Sequence, residues 1–557
     1  MPFGRPNLPS RGASVSQPAP ENADEAPPWW HGAVIYQIYP RSFCDSNGDG
    51  IGDLPGIIAK LDYIASLGVD AIWLSPFFAS PMKDFGYDVS DYRAVDPIFG
   101  TLGDFDRLVD RAHALDLRVI IDQVYAHTSD IHAWFLESRV DRTNAKSDWY
   151  VWADPKVDGT PPNNWLSVFY GPSWTWDGRR KQYYMHNFLP SQPNLNVNNP
   201  AVQEALFDTA RFWLQRGVDG FRLDAINFAM HDPSMADNPP VIDIFGLPKR
   251  PFDFQHHLHN QSQPELVPFI EKLASVVRGF GPDRFTVAEI GGEQALTEMK
   301  LFTAGSERLN TSYGFDFLSA EQLTPRLIVD TLAKWPGTEG EGWPSWAFSN
   351  HDAPRVVSRW GTSQSHDAWA KLLLTLLMCL RGNVFLYQGE ELGLTQAVIP
   401  FERLRDPEAI ANWPLTQGRD GARTPMPWSS STPHAGFSDV EPWLPIPQDH
   451  IVCAVSEQNG QATSVLTVAR EVLELRRSSP ALRSGSFRPL DLPSSLLGFD
   501  RMSGRVRLRC LFNLDSAPQN CAYLATGQVL FVHGTIDRDK GTLGGLAACI
   551  LEMPSPV

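Results

Sequence analysis

The sequence predicts an α/β chain whose main body is a (β/α)8 barrel, with a subdomain inserted after strand 3 and an antiparallel β-domain at the C-terminus. Three observations predict it. Short β-rich runs alternate with amphipathic stretches from Val34 to about Gly393. The amphipathic stretches repeat apolar residues at three- and four-residue intervals, the period of one buried helix face. The alternation makes up eight strand–helix units, and eight in series close naturally into a barrel. An open doubly wound sheet is the competing arrangement, but no unit carries a glycine-rich dinucleotide fingerprint.

The strands expected, in order, are Val34–Tyr39, Ala71–Leu74, Arg118–Asp122, Gly220–Asp224, Phe285–Glu289, Thr311–Phe315, Trp346–Asn350 and Asn383–Gln388. Helical patterns follow most of them, at Leu54–Leu67, Leu102–Leu115, Val202–Arg216, Leu266–Arg278 and Ala368–Leu380. Two strand-to-helix connections are too long to be plain loops. The one from about Gln123 to Asn199 is rich in Trp, Tyr, Asn and Pro and reads as a small inserted domain. The other runs from about Ala225 to Glu265, and a third long, turn-rich segment follows the eighth strand, from Glu391 to about Trp443. All three leave the C-terminal ends of barrel strands, where barrel active sites lie.

The barrel is therefore expected over residues 29–122 and 200–468, the inserted subdomain over 123–199 and the C-terminal β-domain over 469–557. From about Ala469 a last helix gives way to short runs at Val506–Asn513, Cys521–Leu524 and Val529–His533. Residues 1–28 are rich in Pro, Ser, Ala and Glu and lack the apolar stretch of a signal peptide, so they read as a disordered leader.

At 557 residues the chain exceeds one ordinary core, which agrees with two or three domains. No apolar run approaches the ~18 residues that span a bilayer. Lys and Arg number 47 against 64 Asp and Glu, a formal charge of −17. Such a chain repels nucleic acid and anionic membrane, so neither is an expected partner. Six scattered cysteines show no CxxC spacing and argue against a disulfide framework or a zinc site, which fits a reducing cytoplasm. Cys379, in a helical apolar run, reads as a buried thiol. The oligomeric state is not legible.

The chemistry is carried by strand ends. Gly220-Phe-Arg-Leu-Asp224 is an apolar strand ending on a carboxylate, with Arg222 on the same face because side chains alternate along a strand. A carboxylate there is costly unless paired, and an arginine beside it favours the ionised form of a nucleophile. Glu289 ends the fifth strand and Asp352 the seventh. In a barrel all three point into one bowl. Two carboxylates across a scissile bond are what glycoside hydrolysis requires, one protonating the leaving oxygen and the other attacking or activating water. A single strand-end acid is more often a helix cap; three on one rim are hard to explain that way.

These residues sit in motifs that resemble those of glycoside hydrolase family 13, the α-amylase family, and within it the bacterial exo-acting α-glucosidases and oligo-1,6-glucosidases. The motifs are Gly86-Tyr-Asp-Val-Ser-Asp-Tyr92, Asp122-Gln-Val-Tyr-Ala-His127, Gln192-Pro-Asn-Leu-Asn196, Gly220-Phe-Arg-Leu-Asp224, Ala288-Glu289, Ser349-Asn-His-Asp352 and Gly418-Arg-Asp-Gly-Ala-Arg-Thr-Pro-Met-Pro-Trp428. The resemblance covers about Trp29 to Phe437 strongly and the C-terminal part loosely. It implies a retaining enzyme with Asp224 as nucleophile, Glu289 as acid and then base, and Asp352 stabilising the transition state. It further implies that Arg222 holds Asp224 ionised, that His127 and His351 bind sugar hydroxyls, and that Tyr87 stacks under the first sugar. Asp88 and Arg419 would close the pocket around the non-reducing end, making the enzyme exo-acting. Without the motifs, Tyr87 and His127 would read as a packed rim, and Arg419 as a loop salt bridge with Asp420.

A second signal is Asp45-Ser-Asn47-Gly-Asp49-Gly-Ile51-Gly-Asp53, which spaces oxygen donors at alternate positions, as a hard cation such as Ca²⁺ or Mg²⁺ requires. Family members resembling this chain hold a structural divalent ion in the same loop, with Asp45, Asn47, Asp49, Ile51 and Asp53 as its implied ligands. A chain of Asx turns without metal is the alternative. No organic cofactor is expected. Gly48-x-Gly50-x-Gly52 lacks the context of a dinucleotide motif, and His256, His257 and His259 read as polar lid residues rather than ligands.

Two departures matter. Ala126 stands where the family usually has the Asn that helps bind calcium between barrel and inserted domain, and Asn194 replaces the commoner Asp. Ala225 follows the nucleophile; relatives with a small residue there tend towards α-1,4 links and those with valine towards α-1,6. The expected substrate is thus a short, maltose-like α-glucoside. The same residues would serve a transglucosylase passing glucose to an alcohol, phenol or sugar acceptor, and that is the leading alternative. A non-catalytic barrel scaffold is the remote one.

Overall fold

The computed structural model describes residues 27–242, 250–335, 342–361 and 365–554. The leader expected over 1–28 lies almost wholly outside them. Eight parallel strands close into a barrel: β1 (Val34–Ile38), β2 (Ala71–Leu74), β3 (Arg118–Val124), β4 (Gly220–Asp224), β5 (Phe285–Glu289), β6 (Thr311–Tyr313), β7 (Trp343–Ala347) and β8 (Asn383–Tyr387), each hydrogen-bonded to its neighbours in chain order and β8 to β1. The strands are buried on both faces, as a barrel wall wrapped by helices must be.

The principal helices in chain order are α1 (Leu54–Leu67), α2 (Leu102–Ala114), α3 (Pro200–Gln215), α4 (Leu266–Arg278), α5 (Ala295–Thr303), α6 (Pro325–Ala333), α7 (His366–Cys379) and α8 (Val465–Ser478). Their boundaries have local causes. Asp53 caps α1 by accepting from the Gly56 amide at 2.6 Å, and Gly68 ends it with a φ of 86° that few other residues tolerate. Thr101 and Asp104 form a reciprocal capping box at α2.

The seventh strand differs from expectation. It starts three residues early, at Trp343 rather than Trp346, and ends at Ala347 rather than Asn350. Pro344 argues against a strand interior in sequence, but here it pairs in register with Ser312 of the short β6. At the far end Asn350 leaves the ladder for a turn, its Oδ1 accepting from the amides of Asp352 and Ala353 at 2.9 and 2.7 Å.

Within the segment that follows β3, Trp152–Ala153, Gln182–Met185 and Trp174–Asp177 form a three-stranded antiparallel sheet over a core of Val151, Trp165, Trp174 and Met185. The C-terminal domain is a five-stranded antiparallel sheet of β9 (Ser486–Pro489), β10 (Leu496–Ser503), β11 (Val506–Asn513), β12 (Gln528–His533) and β13 (Ala548–Glu552). Cys521–Leu524, expected as a strand, is instead a one-turn 3-10 segment in which the Leu524 amide bonds the Cys521 carbonyl at 3.2 Å. Both residues are buried, three apart, a spacing that a tight helical turn puts on one side.

Helix α8 starts ahead of residue 469 and packs against the barrel through Arg476. That side chain is fully buried and donates to the carbonyls of Gly32, Met378, Leu380 and Gly382 at 2.5–3.1 Å. Arg501 of β10 donates to the Cys379 carbonyl at 2.6 Å. The C-terminus of α7 is thus closed by two arginines, one from α8 and one from the sheet, each satisfying carbonyls that a helix end leaves orphaned. Cys379 is a buried thiol.

Candidate active site

Strand β4 delivers Asp224 and β5 delivers Glu289, while the turn after β7 carries Asp352. All three line one cavity of about 420 Å³ at the C-terminal end of the barrel. A larger groove, about 760 Å³, lies between Leu323–Pro325 and the C-terminal sheet; among the described residues Asp515 is the only ionisable one lining it.

Arg222 organises the floor. Fully buried, it donates to Asp122 Oδ1 at 2.8 Å and Asp224 Oδ1 at 2.6 Å, pairs with Glu289 Oε2 at 2.5 Å and reaches the Tyr313 hydroxyl at 3.0 Å. Tyr313 in turn donates to Glu289 Oε1 at 3.0 Å. One cation thus serves three buried carboxylates, which leaves them short of positive charge. Burial, only partly offset by Arg222, pushes Asp224 and Glu289 each up to about 7. It pushes Asp122 up to about 6. Neutral pH is where a nearly balanced acid and base work together.

Asp352 is in the opposite state. Burial works against its charge, but His351, Arg419 and Arg423 hold it well below the usual carboxylate range. Burial pushes His351 itself down to about 3, so its ring is neutral and the two arginines supply the charge. Arg423 donates to Asp352 Oδ1 at 2.6 Å and Arg419 at 3.3 Å.

The far wall is a second ionic group. Arg419 pairs with Asp84 at 3.0 Å and Asp406 at 2.8 Å as well as with Asp352. It does not pair with Asp420, whose Oδ2 accepts the amides of Arg405 and Asp406. Asp88, expected in this wall, is turned inward: its carboxylate accepts from Ser80 Oγ and from the amides of Lys83 and Asp84 at 2.9–3.0 Å, and it does not line the cavity. Asp84, four residues earlier, takes the place beside Arg419. Both acids flank the same turn, and only the fold decides which one faces in.

Tyr87 and His127 line the cavity. The Tyr87 and His351 rings lie nearly parallel, planes 5° apart and centroids 5.5 Å apart, and meet edge to edge, the Tyr87 hydroxyl 2.5 Å from His351 Nε2. His127 Nε2 faces the Tyr87 carbonyl and Gln192 Nε2, both at 3.1 Å, and its Nδ1 has no protein partner. Gln192 also donates to Asp84, so the Gln192 motif props two pocket residues. Ala225 lines the cavity in the left-handed region, at φ 37°.

Sequence reasoning missed Asp84, Arg423, Tyr313 and the phenylalanines that complete the wall, Phe169, Phe188, Phe228, Phe252 and Phe315. Arg423 had a signal, since it lies inside the quoted Gly418–Trp428 motif. The phenylalanines had none, because an aromatic in a long connection, or at a strand end like Phe315, reads as core. His256, His257 and His259 diverge: the first faces Glu293, the second the Phe252 carbonyl and the third Asp232.

The 45–53 loop has the all-oxygen donor set of a hard-cation site. Its carboxylates, however, fold back on the loop itself. Asp45 accepts from the amides of Asn47, Gly48 and Gly50, Asp49 from that of Ile51, and Asp53 from Ser46 and the first turn of α1. Among the described residues no three His, Cys, Asp or Glu side chains are gathered as a cation cage.

Comparison with known proteins agrees with this geometry. The family model described as the alpha amylase catalytic domain matches residues 37–485. A probable alpha-glucosidase of Rhizobium meliloti is 53% identical over 499 residues, covering 87% of this chain and 89% of the relative. An oligo-1,6-glucosidase of Heyndrickxia coagulans is 38% identical, covering 82% and 87%. Among solved structures, an alpha-glucosyl transfer enzyme superposes with a TM-score of 0.89 at 50% identity, covering 95% of this chain and all of that one. An isomaltulose synthase of Erwinia rhapontici superposes at 0.87 with 32% identity and the same coverage. Among the described residues no helix is long and apolar enough to cross a membrane. With the catalytic-domain match running from the end of β1 through the other seven barrel strands and on past α8, this chain belongs to the α-amylase family, glycoside hydrolase family 13, and is a glycosidase of the α-glucosidase kind.

Proposed function

We propose that the protein is a retaining, exo-acting α-glucosidase that releases glucose from the non-reducing end of short, maltose-like α-glucosides, α-1,4 links preferred. The observation that carries this reading is Arg222, which joins Asp224 and Glu289 through one buried guanidinium. A pair so closely tied favours the ~5 Å spacing of a retaining enzyme over the wider gap that admits a water. In the first step Asp224 attacks the anomeric carbon while Glu289 gives its proton to the departing oxygen. In the second, water attacks that carbon, passes a proton to Glu289 and frees Asp224. Asp352, kept ionised by Arg419 and Arg423, stabilises the positive charge that develops on the sugar in the transition state of each step. The Asp84–Arg419–Asp406 wall supports action at a chain end.

A second reading has its own support. Five phenylalanines line the cavity, and an apolar or phenolic acceptor held against them would compete with water for the glucosyl-enzyme. NMR of the purified protein on maltose, with and without added alcohol, tests both: early release of α-glucose is expected, and early β-glucose would overturn retention. A glucoside of the alcohol outweighing free glucose would make transfer the main activity. For the 45–53 loop we propose a structural Ca²⁺ or Mg²⁺ held by Asp45, Asn47, Asp49, Ile51 and Asp53, on the chemistry of its donors; no catalytic step passes through it. We place the protein in the cytoplasm on its cysteine usage.

A further inference from the structure

Arg419 and Arg423 hold Asp352, and what holds those two arginines lies outside the cavity. They flank the one-turn 3-10 segment Asp420–Ala422, in which the Ala422 amide bonds the Arg419 carbonyl and the Arg423 amide the Asp420 carbonyl, each at 3.0 Å. A single turn with so few internal bonds does not keep its place unaided. Its last carbonyl, that of Ala422, accepts from two side chains, Arg355 Nη2 at 3.1 Å and the Tyr387 hydroxyl at 3.0 Å. The next residue is Arg423.

Arg355 is built for this contact. It is 1% exposed and does not line the cavity, and its Nη1 donates to the carbonyl of Gln388, just past β8, at 3.0 Å. Among the described residues it pairs with no carboxylate, so a costly buried charge is devoted to two carbonyls. Its guanidinium lies over the Tyr387 ring, 4.9 Å from the centroid, which keeps the two donors to Ala422 side by side. The backbone is anchored as well. The Arg355 amide donates to Gln396 Oε1 at 2.9 Å, and the adjacent Ala397 amide donates to the Gly421 carbonyl at 3.0 Å. A Cβ on Gly421 would collide with the Ala397 carbonyl, so only glycine lets these two segments meet this closely.

The contacts close a ring. Arg355 sits three residues after Asp352, on the turn that follows β7, and fixes Ala422. Arg423 then returns to that same turn, donating to the His351 carbonyl at 2.7 Å and to Asp352 Oδ1 at 2.6 Å. We propose that Arg355 is a positioning residue for the glycosidase reaction: through the Ala422 carbonyl it sets Arg423, and through Arg423 the Asp352 carboxylate, where charge develops on the sugar. The role rests on the reading of Asp352 as the transition-state stabiliser.

The test measures kcat and KM for maltose in Arg355→Met and Arg355→Lys, alone and combined with Arg423→Lys. Arg355→Met is expected to lower kcat about tenfold and leave KM within about twofold of wild type, as for an interaction made in the transition state. Arg355→Lys keeps the charge and a donor without the planar fork, and should recover part of that loss. In the Arg423→Lys background Arg355→Met should cost less than about twofold more, because the side chain it positions is already replaced. Tyr387→Phe removes the other donor to Ala422 and stands in for Arg355→Met if that variant does not fold, with a loss of about threefold in kcat expected and the same disappearance in the Arg423→Lys background. In either variant an unchanged kcat, a loss carried by KM alone, or an equal fold-loss in both backgrounds overturns the proposal. Wild-type kcat in Asp352→Asn overturns the reading of Asp352 instead.

Discussion

At the scale of single residues, the site separates three carboxylates by environment. Asp224 and Glu289 share one arginine and are raised by burial, whereas Asp352 has two arginines and is lowered. With Asp224 as the proposed nucleophile, which must be ionised, activity rises as pH climbs through its pKa; with Glu289 as the proposed acid, which must be protonated, activity falls as pH climbs through its own. With each near 7, kcat/KM against pH should be a narrow bell centred close to neutrality, and a rate still climbing above pH 9 would contradict the assignment. Ala225 makes a second prediction. Ala225→Val should shift turnover from maltose towards isomaltose. Because φ is 37°, a β-branched side chain there should also cost about 1–3 kcal/mol in a denaturant melt. Asp224 and Glu289 were legible in sequence because each ends an apolar run, where an acid has no structural excuse, and Asp352 through its Ser349–Asp352 motif. Asp84 was not legible: its choice over Asp88 depends on which carboxylate Ser80 and two backbone amides claim, and that is decided by the turn.

At the scale of elements, periodicity and caps served where a helix had one buried face and a clear end. Leu54–Leu67 and Leu266–Arg278 have the expected bounds for that reason, and Gly220–Asp224 and Phe285–Glu289 likewise as strands. Trp343–Ala347 was misplaced because local chemistry was read without its neighbour: a proline is tolerated where the paired strand is only three residues long. Cys521–Leu524 was misread because four residues carry too little pattern to tell a turn from a strand. The 45–53 loop is the element whose prediction is sharpest. Its last acid caps α1 and its first is anchored by Ser438 Oγ at 2.6 Å, so a cation there would tie the start of the barrel to the segment after β8. Dialysis against EDTA should lower Tm by a few degrees, with recovery on adding Ca²⁺ or Mg²⁺ and little change in KM; an unaltered melt would leave the loop as Asx turns alone.

At the scale of the whole molecule, the barrel and the C-terminal sheet meet at the end of α7. Arg476 there has no carboxylate partner among the described residues and is charged against four carbonyls, with burial pushing it down to about 9. Arg476→Met should therefore cost on the order of 3–5 kcal/mol in urea, since it strips donors from several buried acceptors at once; a loss below 1 kcal/mol would show that water replaces the guanidinium. The sequence reading put the change from a last helix to short alternating runs from about Ala469, but the junction itself was not legible, because an arginine inside a helix pattern reads as surface. Its consequence concerns how the protein comes apart. The last turn of α7 is finished by side chains that arrive roughly a hundred residues later, so the helix between β7 and β8 is complete only once the tail is in place. Two bodies by architecture should melt as one, in a single calorimetric peak, and a chain cut after residue 485 should yield a barrel that never reaches its full stability.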